Sequence, residues 1–188
     1  MTQARTYHHG NLRRVIIDAA VAAIEESGIA TWSLRELARR AGVSHAAPAH
    51  HFGDKAGVLT AVAAEGFAMF ADALASAGDD LLDIGTAYVR FATTHRAHFE
   101  VMWQPALFHA DDPEVSAART RAGAILDRGA RAALPAGRSG SGAGNAPIAA
   151  WSIAHGFATL WLSGALPAEL GDSPEEAARP VLRMLLER

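Results

Sequence analysis

The 188-residue sequence predicts an all-α fold, and three observations predict it. No stretch alternates apolar and polar residues with the period of two that a half-buried strand requires. Apolar residues recur instead at helical spacing, first in Leu12, Val15, Ile16, Ala19, Ala20, Ala23 and Ile24, with Arg13, Arg14, Asp18 and Glu25 outside the stripe. These segments are punctuated by residues that start and stop helices. Asn11, Ser33, the pairs Asp79-Asp80 and Asp111-Asp112, and Ser173-Pro174 stand at starts, and Gly28, Gly42 and Gly78 at ends.

Taken in order, the first helix runs from a cap at Asn11 to Gly28, and its apolar face must be covered by the helices that follow. Residues 33–55, SLRELARRAGVSHAAPAHHFGDK, then read as two short helices about a tight turn. Ser33 and Glu36 have capping-box spacing, in which each side chain satisfies a free N–H at a helix start. Leu37, Ala38 and Ala41 share a face, Gly42 supplies the left-handed stop and Val43 fills the corner. Ser44 caps a second helix from His45 to about His51, which gives helix-turn-helix geometry. Pro48 is tolerated because it falls in the first turn.

Gly53-Asp54 turns the chain into a long helix over residues 55–77, which packs Leu59, Val62, Ala63, Phe67 and Phe70. Further helices are expected over 82–93, 95–103 and 111–134. Residues 135–147, PAGRSGSGAGNAP, have little to bury and read as a flexible linker. A strongly apolar helix over 148–165 and a last helix opened by Pro174, with Ala177, Val181, Leu182, Leu185 and Leu186, complete the chain. The expected domains are 1–54, the helix-turn-helix unit, and 55–188.

Composition narrows the function. There are no cysteines, which removes disulfides, thiolate metal sites and cysteine nucleophiles. No run of about 18 apolar residues and no basic-then-hydrophobic leader is found, so a soluble, unexported, cytoplasmic protein is expected. Residues 1–55 hold seven Arg or Lys against five Asp or Glu, and the remainder ten against fifteen. A positive N-terminal part of this kind suits phosphates, although the whole chain is at −3. No nucleophile-base-orienter set or phosphate-cradling glycine loop is found, so an enzyme is not expected.

The 33–55 segment resembles the DNA-binding motif of the TetR family of transcriptional regulators. The resemblance takes in the preceding amphipathic helix and the run Phe52, Lys55, Leu59. AWSIAHGFATLWLSG, residues 150–164, resembles the tryptophan-histidine-glycine type of C-terminal domain through Trp151, His155 and Gly156. The resemblance implies a dimeric, ligand-responsive regulator, most simply a repressor, of double-stranded DNA. Its parts would be an N-terminal three-helix helix-turn-helix unit and a C-terminal helical domain for effector binding and dimerisation.

In that reading Ser44, His45, Ala46, Ala47, Ala49 and His50 meet the major groove, where only Ser44 and the histidines can hydrogen-bond a base edge. Backbone N–H groups with Ser33, Arg35, His51 and Lys55 meet phosphates, and Arg5 offers an N-terminal arm. Arg39 and Arg40 are expected to be solvated. Lys55 gains nothing from the positive start of its helix. It therefore needs another partner, and the resemblance implies a DNA phosphate. Ala49 departs from the family, which usually carries a phosphate-contacting tyrosine there. A small-molecule sensor with a degenerate helix-turn-helix is the alternative function.

The resemblance also implies an effector cavity, for which Phe67, Phe70, Tyr88, Phe91, Phe99, Met102, Trp103 and Phe108 are the candidate lining. His95, His98, His109 and His155 are possible polar anchors, suited to a largely apolar organic ligand. Dimer contacts are expected from Trp151, His155, Phe157, Trp161, Val181, Leu182 and Leu185 on the last two helices, which would place two recognition helices on a palindromic operator. No cofactor is expected. His95, His98, His109, Asp111 and Asp112 raise a metal site as a rival reading, and none is assigned.

Overall fold

The all-α expectation holds in a computed structural model that describes residues 9–133 and 146–186, where all regular structure is helical. Nine α-helices follow in order among the described residues. They are α1 (His9–Ser27), α2 (Leu34–Arg40), α3 (Ala47–Phe52), α4 (Lys55–Ser76), α5 (Leu81–Thr94), α6 (Arg96–Met102), α7 (Pro113–Ala133), α8 (Ala146–Leu162) and α9 (Pro174–Arg183). Short 3-10 turns occupy Pro105–Leu107 and Ala168–Leu170. Arg5 and all but the last two residues of the expected 135–147 linker lie outside the described residues.

Two compact units interleave along the chain, Met1–Gly66 with Ala97–Val115, and Phe67–Arg96 with Ser116–Arg188. In the first, Ile16, Ala20, Ala23 and Ile24 of α1 are buried together with Leu37 and Ala38 of α2 and Val58, Leu59 and Val62 of α4. Polar groups also join its helices. Arg14 of α1 pairs with Asp18 and Glu65, and the other oxygen of Glu65 meets Nε2 of the buried His98 at 3.1 Å. In the second unit α5 packs on α8 and α9, which also pack on each other. Its buried residues include Phe70, Leu74, Ile84, Tyr88, Ala154, Phe157 and Leu182.

Local chemistry explains where the ends fall. The Ser33 side chain accepts the Glu36 N–H at 3.2 Å, a cap worth about 1 kcal/mol. Glu36 reaches forward to Arg40 instead of back to Ser33, so only half of the capping box forms. Arg40 also pairs with Glu26 at 2.5 Å, which corrects the expectation that it is merely solvated. Gly42 takes φ +64° as the N–H groups of Gly42 and Val43 return to the carbonyls of Arg39 and Ala38. That is the Schellman arrangement, with glycine where a side chain would be strained.

Several boundaries differ from the sequence reading. α1 begins at His9, two residues before the start expected at Asn11. α3 begins at Ala47, after an Ala46 that makes no side-chain cap, so Ser44 caps through its backbone carbonyl alone. Pro48 lies in that first turn, where its missing N–H costs least. α8 stops at Leu162 because the Gly164 and Ala165 N–H groups turn back to Trp161 and Leu160. α9 ends at Arg183, and Leu185 and Leu186 follow in a turn of i to i−3 bonds, with Pro180 already weakening the helix before them.

By length and composition α4 could cross a bilayer, contrary to the expectation that no segment could. However, 67% of its most apolar window is buried within the chain, as in the core helix of a folded domain.

Candidate functional site

The turn and α3 divide their residues between core and solvent. Ala47 and Pro48 are buried, so Ala47 packs inward although it was expected to face a groove. Ser44, His45, Ala46, Ala49 and His50 are exposed, as are Ser33 and Arg35. His51 is half-buried, with its ring edge-on to His50 at 5.4 Å and 6.4 Å from Phe52. This leaves a short helix with one polar, histidine-bearing outer face, narrow enough for a DNA major groove.

Lys55 is anchored within the chain. Its ammonium donates to the carbonyls of Ala30 and Trp32, both at 3.1 Å, and lies 4.3 Å from the centre of the Trp32 ring. Partial burial lowers its pKa. The carbonyls belong to the residues that lead into Ser33, so Lys55 fixes the entry of α2 from the start of α4. The Trp32 indole N–H is buried without a partner among the described residues, a cost of about 1–3 kcal/mol. The cation over the ring face offsets part of that cost.

In the second unit, Tyr88 is fully buried and its hydroxyl joins two residues of α8. Trp151 donates its indole N–H to the oxygen at 3.2 Å, and His155 Nδ1 lies 2.9 Å away. Indole can only donate, so the Tyr88 oxygen accepts from Trp151, while the direction of its bond with His155 follows the histidine tautomer. Burial lowers the His155 pKa and raises that of Tyr88, so both are neutral at pH 7. The Phe70 ring meets Tyr88 edge-on at 4.9 Å and Phe91 at 5.0 Å, and Phe91 meets His95 at 5.1 Å. Of the proposed cavity lining, Phe67, Phe70, Tyr88, Phe91, His95 and His155 thus fall in this unit. Phe99, Met102, Trp103 and Phe108 fall in the other, where Phe99 and Trp103 meet at 6.3 Å.

Replacing Tyr88 by Phe is expected to lower stability by about 1–2 kcal/mol, because Trp151 and His155 lose the oxygen they share. Urea denaturation checks this, and an unchanged midpoint would show the bonds to be dispensable.

The residues considered for dimer contacts differ in exposure. Phe157 and Leu182 are buried within the chain, whereas Trp151 is 38% exposed. His155, Trp161, Val181 and Leu185 are half-buried, and Trp161 stacks on Phe157 at 6.0 Å. Ile148 and Leu160 of α8, and Met184 and Leu186 after α9, are exposed. Among the described residues no group of three or more His, Asp or Glu is placed to hold a metal. His95 caps the end of α5 and does not share α6 with His98, and Asp112 caps α7.

Comparison with known proteins decides the family. Residues 16–62 match the profile of bacterial regulatory proteins of the tetR family, and residues 81–185 match that of the tetracyclin repressor-like C-terminal domain. The second match alone covers more than half of the chain. The chain belongs to the TetR family. A solved protein of unknown function from Rhodococcus sp. RHA1 is 33% identical over 97% of both chains, with a TM-score of 0.78. The regulator FadR from Bacillus subtilis, solved with stearoyl-CoA, shares the fold at 16% identity and a TM-score of 0.65, over 93% of this chain and 97% of its own. The HTH-type transcriptional regulator BetI from Serratia proteamaculans is 45% identical over 49 residues. That match spans 26% of this chain and 25% of BetI.

As a TetR-family member the chain is a transcriptional regulator and not an enzyme. Sequence reasoning missed two features of this TetR-family structure. The chain Asp18–Arg14–Glu65–His98 joins α1, α4 and α6, but its charged members look individually like ordinary surface residues. Trp32 carries no periodic signal, and only an aromatic residue just before a predicted N-cap hinted at it.

Proposed function

We propose that the protein acts as a cytoplasmic, two-fold dimeric repressor that binds a palindromic operator and is released by a small, largely apolar effector. The observation that carries this reading is the helix-turn-helix of a TetR-family chain, with Ser44, His45, Ala46, Ala49 and His50 all exposed on the turn and α3. These residues read bases, while Ser33, Arg35, His51 and Lys55 bear on phosphates. Exposed Ile148, Trp151 and Leu160 on α8, with Met184 and Leu186 after α9, support pairing with a second subunit. The aromatic group around Phe70, Tyr88 and Phe91, with Tyr88 and His155 as polar anchors, receives the effector. α4 runs unbroken from Lys55 to Ser76 and carries the response to the helix-turn-helix.

In vitro selection of random duplex DNA on the purified protein tests this. Recovery of a palindrome, bound by two subunits with a steep salt dependence, is the expected result. Failure of a folded dimer to enrich any sequence would favour the sensor with a degenerate helix-turn-helix, a reading that Ala49 favours. With an operator in hand, Ala49→Tyr is expected to tighten binding roughly tenfold, since this exposed position would gain a hydrogen bond to a charged group. A titration that detects no gain would mean that α3 docks differently here.

A further inference from the structure

The first compact unit carries an open cleft of about 250 Å³ whose lining includes Arg13 of α1, Phe52 at the end of α3, Ala61 and Ala64 of α4, and Asp112 and Glu114 at the start of α7. Its wall is held in place. The Thr60 hydroxyl donates to the Ala56 carbonyl at 2.8 Å and accepts the His109 N–H at 3.0 Å, which ties the segment leading into α7 to α4. Asp112 spends one carboxylate oxygen on the N–H groups of Glu114 and Val115.

Two charges remain. Arg14 is fully paired, yet its neighbour Arg13 has no hydrogen bond or ion pair among the described residues, and neither does the Glu114 carboxylate. The Arg13 guanidinium instead lies 5.6 Å from the centre of the Phe52 ring, which restrains it and leaves its N–H fork open. A guanidinium fork takes a carboxylate in a bidentate grip, and a free carboxylate takes an ammonium. Each discriminates against a ligand of one charge. A simple acid would be repelled by Asp112 and Glu114, and a simple amine would leave the Arg13 guanidinium without a counter-charge. Ala61 and Ala64 give a short carbon skeleton an apolar floor. The volume lies just below that of drug-sized pockets, so a small molecule is required.

We infer that this cleft is a receptor site for a small zwitterion of the amino-acid class, its carboxylate on Arg13 and its ammonium on Glu114. The inference goes beyond the operator reading and is distinct from the apolar effector group in the second unit. Because Phe52 is the last residue of α3, an occupant would bear directly on the end of that helix.

Titration calorimetry of the full chain tests it with the protein amino acids and γ-aminobutyrate as probes, and with butyrate and butylamine as ligands of single charge. At least one zwitterion is expected to bind one site per chain. Butyrate and butylamine, and the zwitterion on the Arg13→Gln and Glu114→Gln chains, are each expected to bind at least about tenfold more weakly, the loss of one charge-assisted contact. Both side chains are exposed, so the variants should fold, and thermal melts check that they do. Absence of binding by every probe overturns the inference. So does binding that survives both substitutions, or binding of butyrate as tight as that of the zwitterion. Calorimetry needs no DNA, so failure to find an operator leaves this result intact.

Discussion

Gly57→Ala is expected to destabilise the protein by at least about 3 kcal/mol, at or beyond the upper end of the usual cost of overpacking. A Cβ at Gly57 would lie 1.8 Å from the carbonyl oxygen of Phe52 and 2.9 Å from its carbon. Those atoms cannot swing aside as the tip of a side chain can. The Phe52 carbonyl accepts the Asp54 N–H at 3.0 Å, and Asp54 in turn accepts the Gly57 N–H at 2.8 Å. The corner between α3 and α4 would therefore move as a whole, and with it the end of the helix that carries His50 and His51.

Helix propensity predicts the opposite sign, since alanine is favoured over glycine inside a helix by about 1 kcal/mol. Gly123 separates the two effects. It lies exposed in α7 with nothing within 4 Å of an added Cβ, so Gly123→Ala should raise the melting temperature slightly. The expected thermal melts are a fall of roughly 10 °C or more for Gly57→Ala and a small rise for Gly123→Ala. A rise in both would mean that the α3–α4 corner yields easily.

Much of the helix-turn-helix was legible in the sequence because its signals are local. Gly42 and Val43 end α2 through bonds that reach back no further than Ala38, and Ser33 caps it through a residue three positions on. α3 was harder to place because Ser44 and Pro48 both mark helix starts, and Pro48 prevailed through its fixed φ. Hydrogen-bond partners distant in sequence were not legible. Lys55 finds its carbonyls 23 and 25 residues back, and Tyr88 meets His155 across 67. Such pairs depend on how helices stack, which periodicity alone does not encode. The same holds for residues 97–115, which join the N-terminal helices through pairs such as His98 with Glu65 and the His109 N–H with Thr60. The pattern around Leu185 predicted more helix than forms, because an apolar stripe does not register the loss of i to i−4 bonding after Arg183.

Lys55→Ala separates two roles that the structure makes possible for one ammonium. Two of its N–H groups hold the carbonyls of Ala30 and Trp32, which leaves a third for a phosphate. The variant is expected to lose about 1–2 kcal/mol of stability, since hydrogen bonds from a charged group contribute more than neutral ones and this group is partly solvated. It should also bind every operator sequence more weakly by a similar factor, because a phosphate contact carries no base information. Salt dependence divides the roles. Loss of a phosphate contact lowers the slope of log affinity against log salt by about 0.9. Loss of positioning alone lowers affinity and melting temperature while leaving the slope unchanged. We expect both the stability loss and the lower slope, with His45→Ala as the contrasting variant that relaxes base preference and spares stability. A Lys55→Ala protein that changed which sequence it preferred would refute the assignment of Lys55 to the backbone. A changed melt with an unchanged slope would leave the lysine as the brace for the entry of α2, and would pass the phosphate to Ser33, Arg35 and the free N–H groups at the start of that helix.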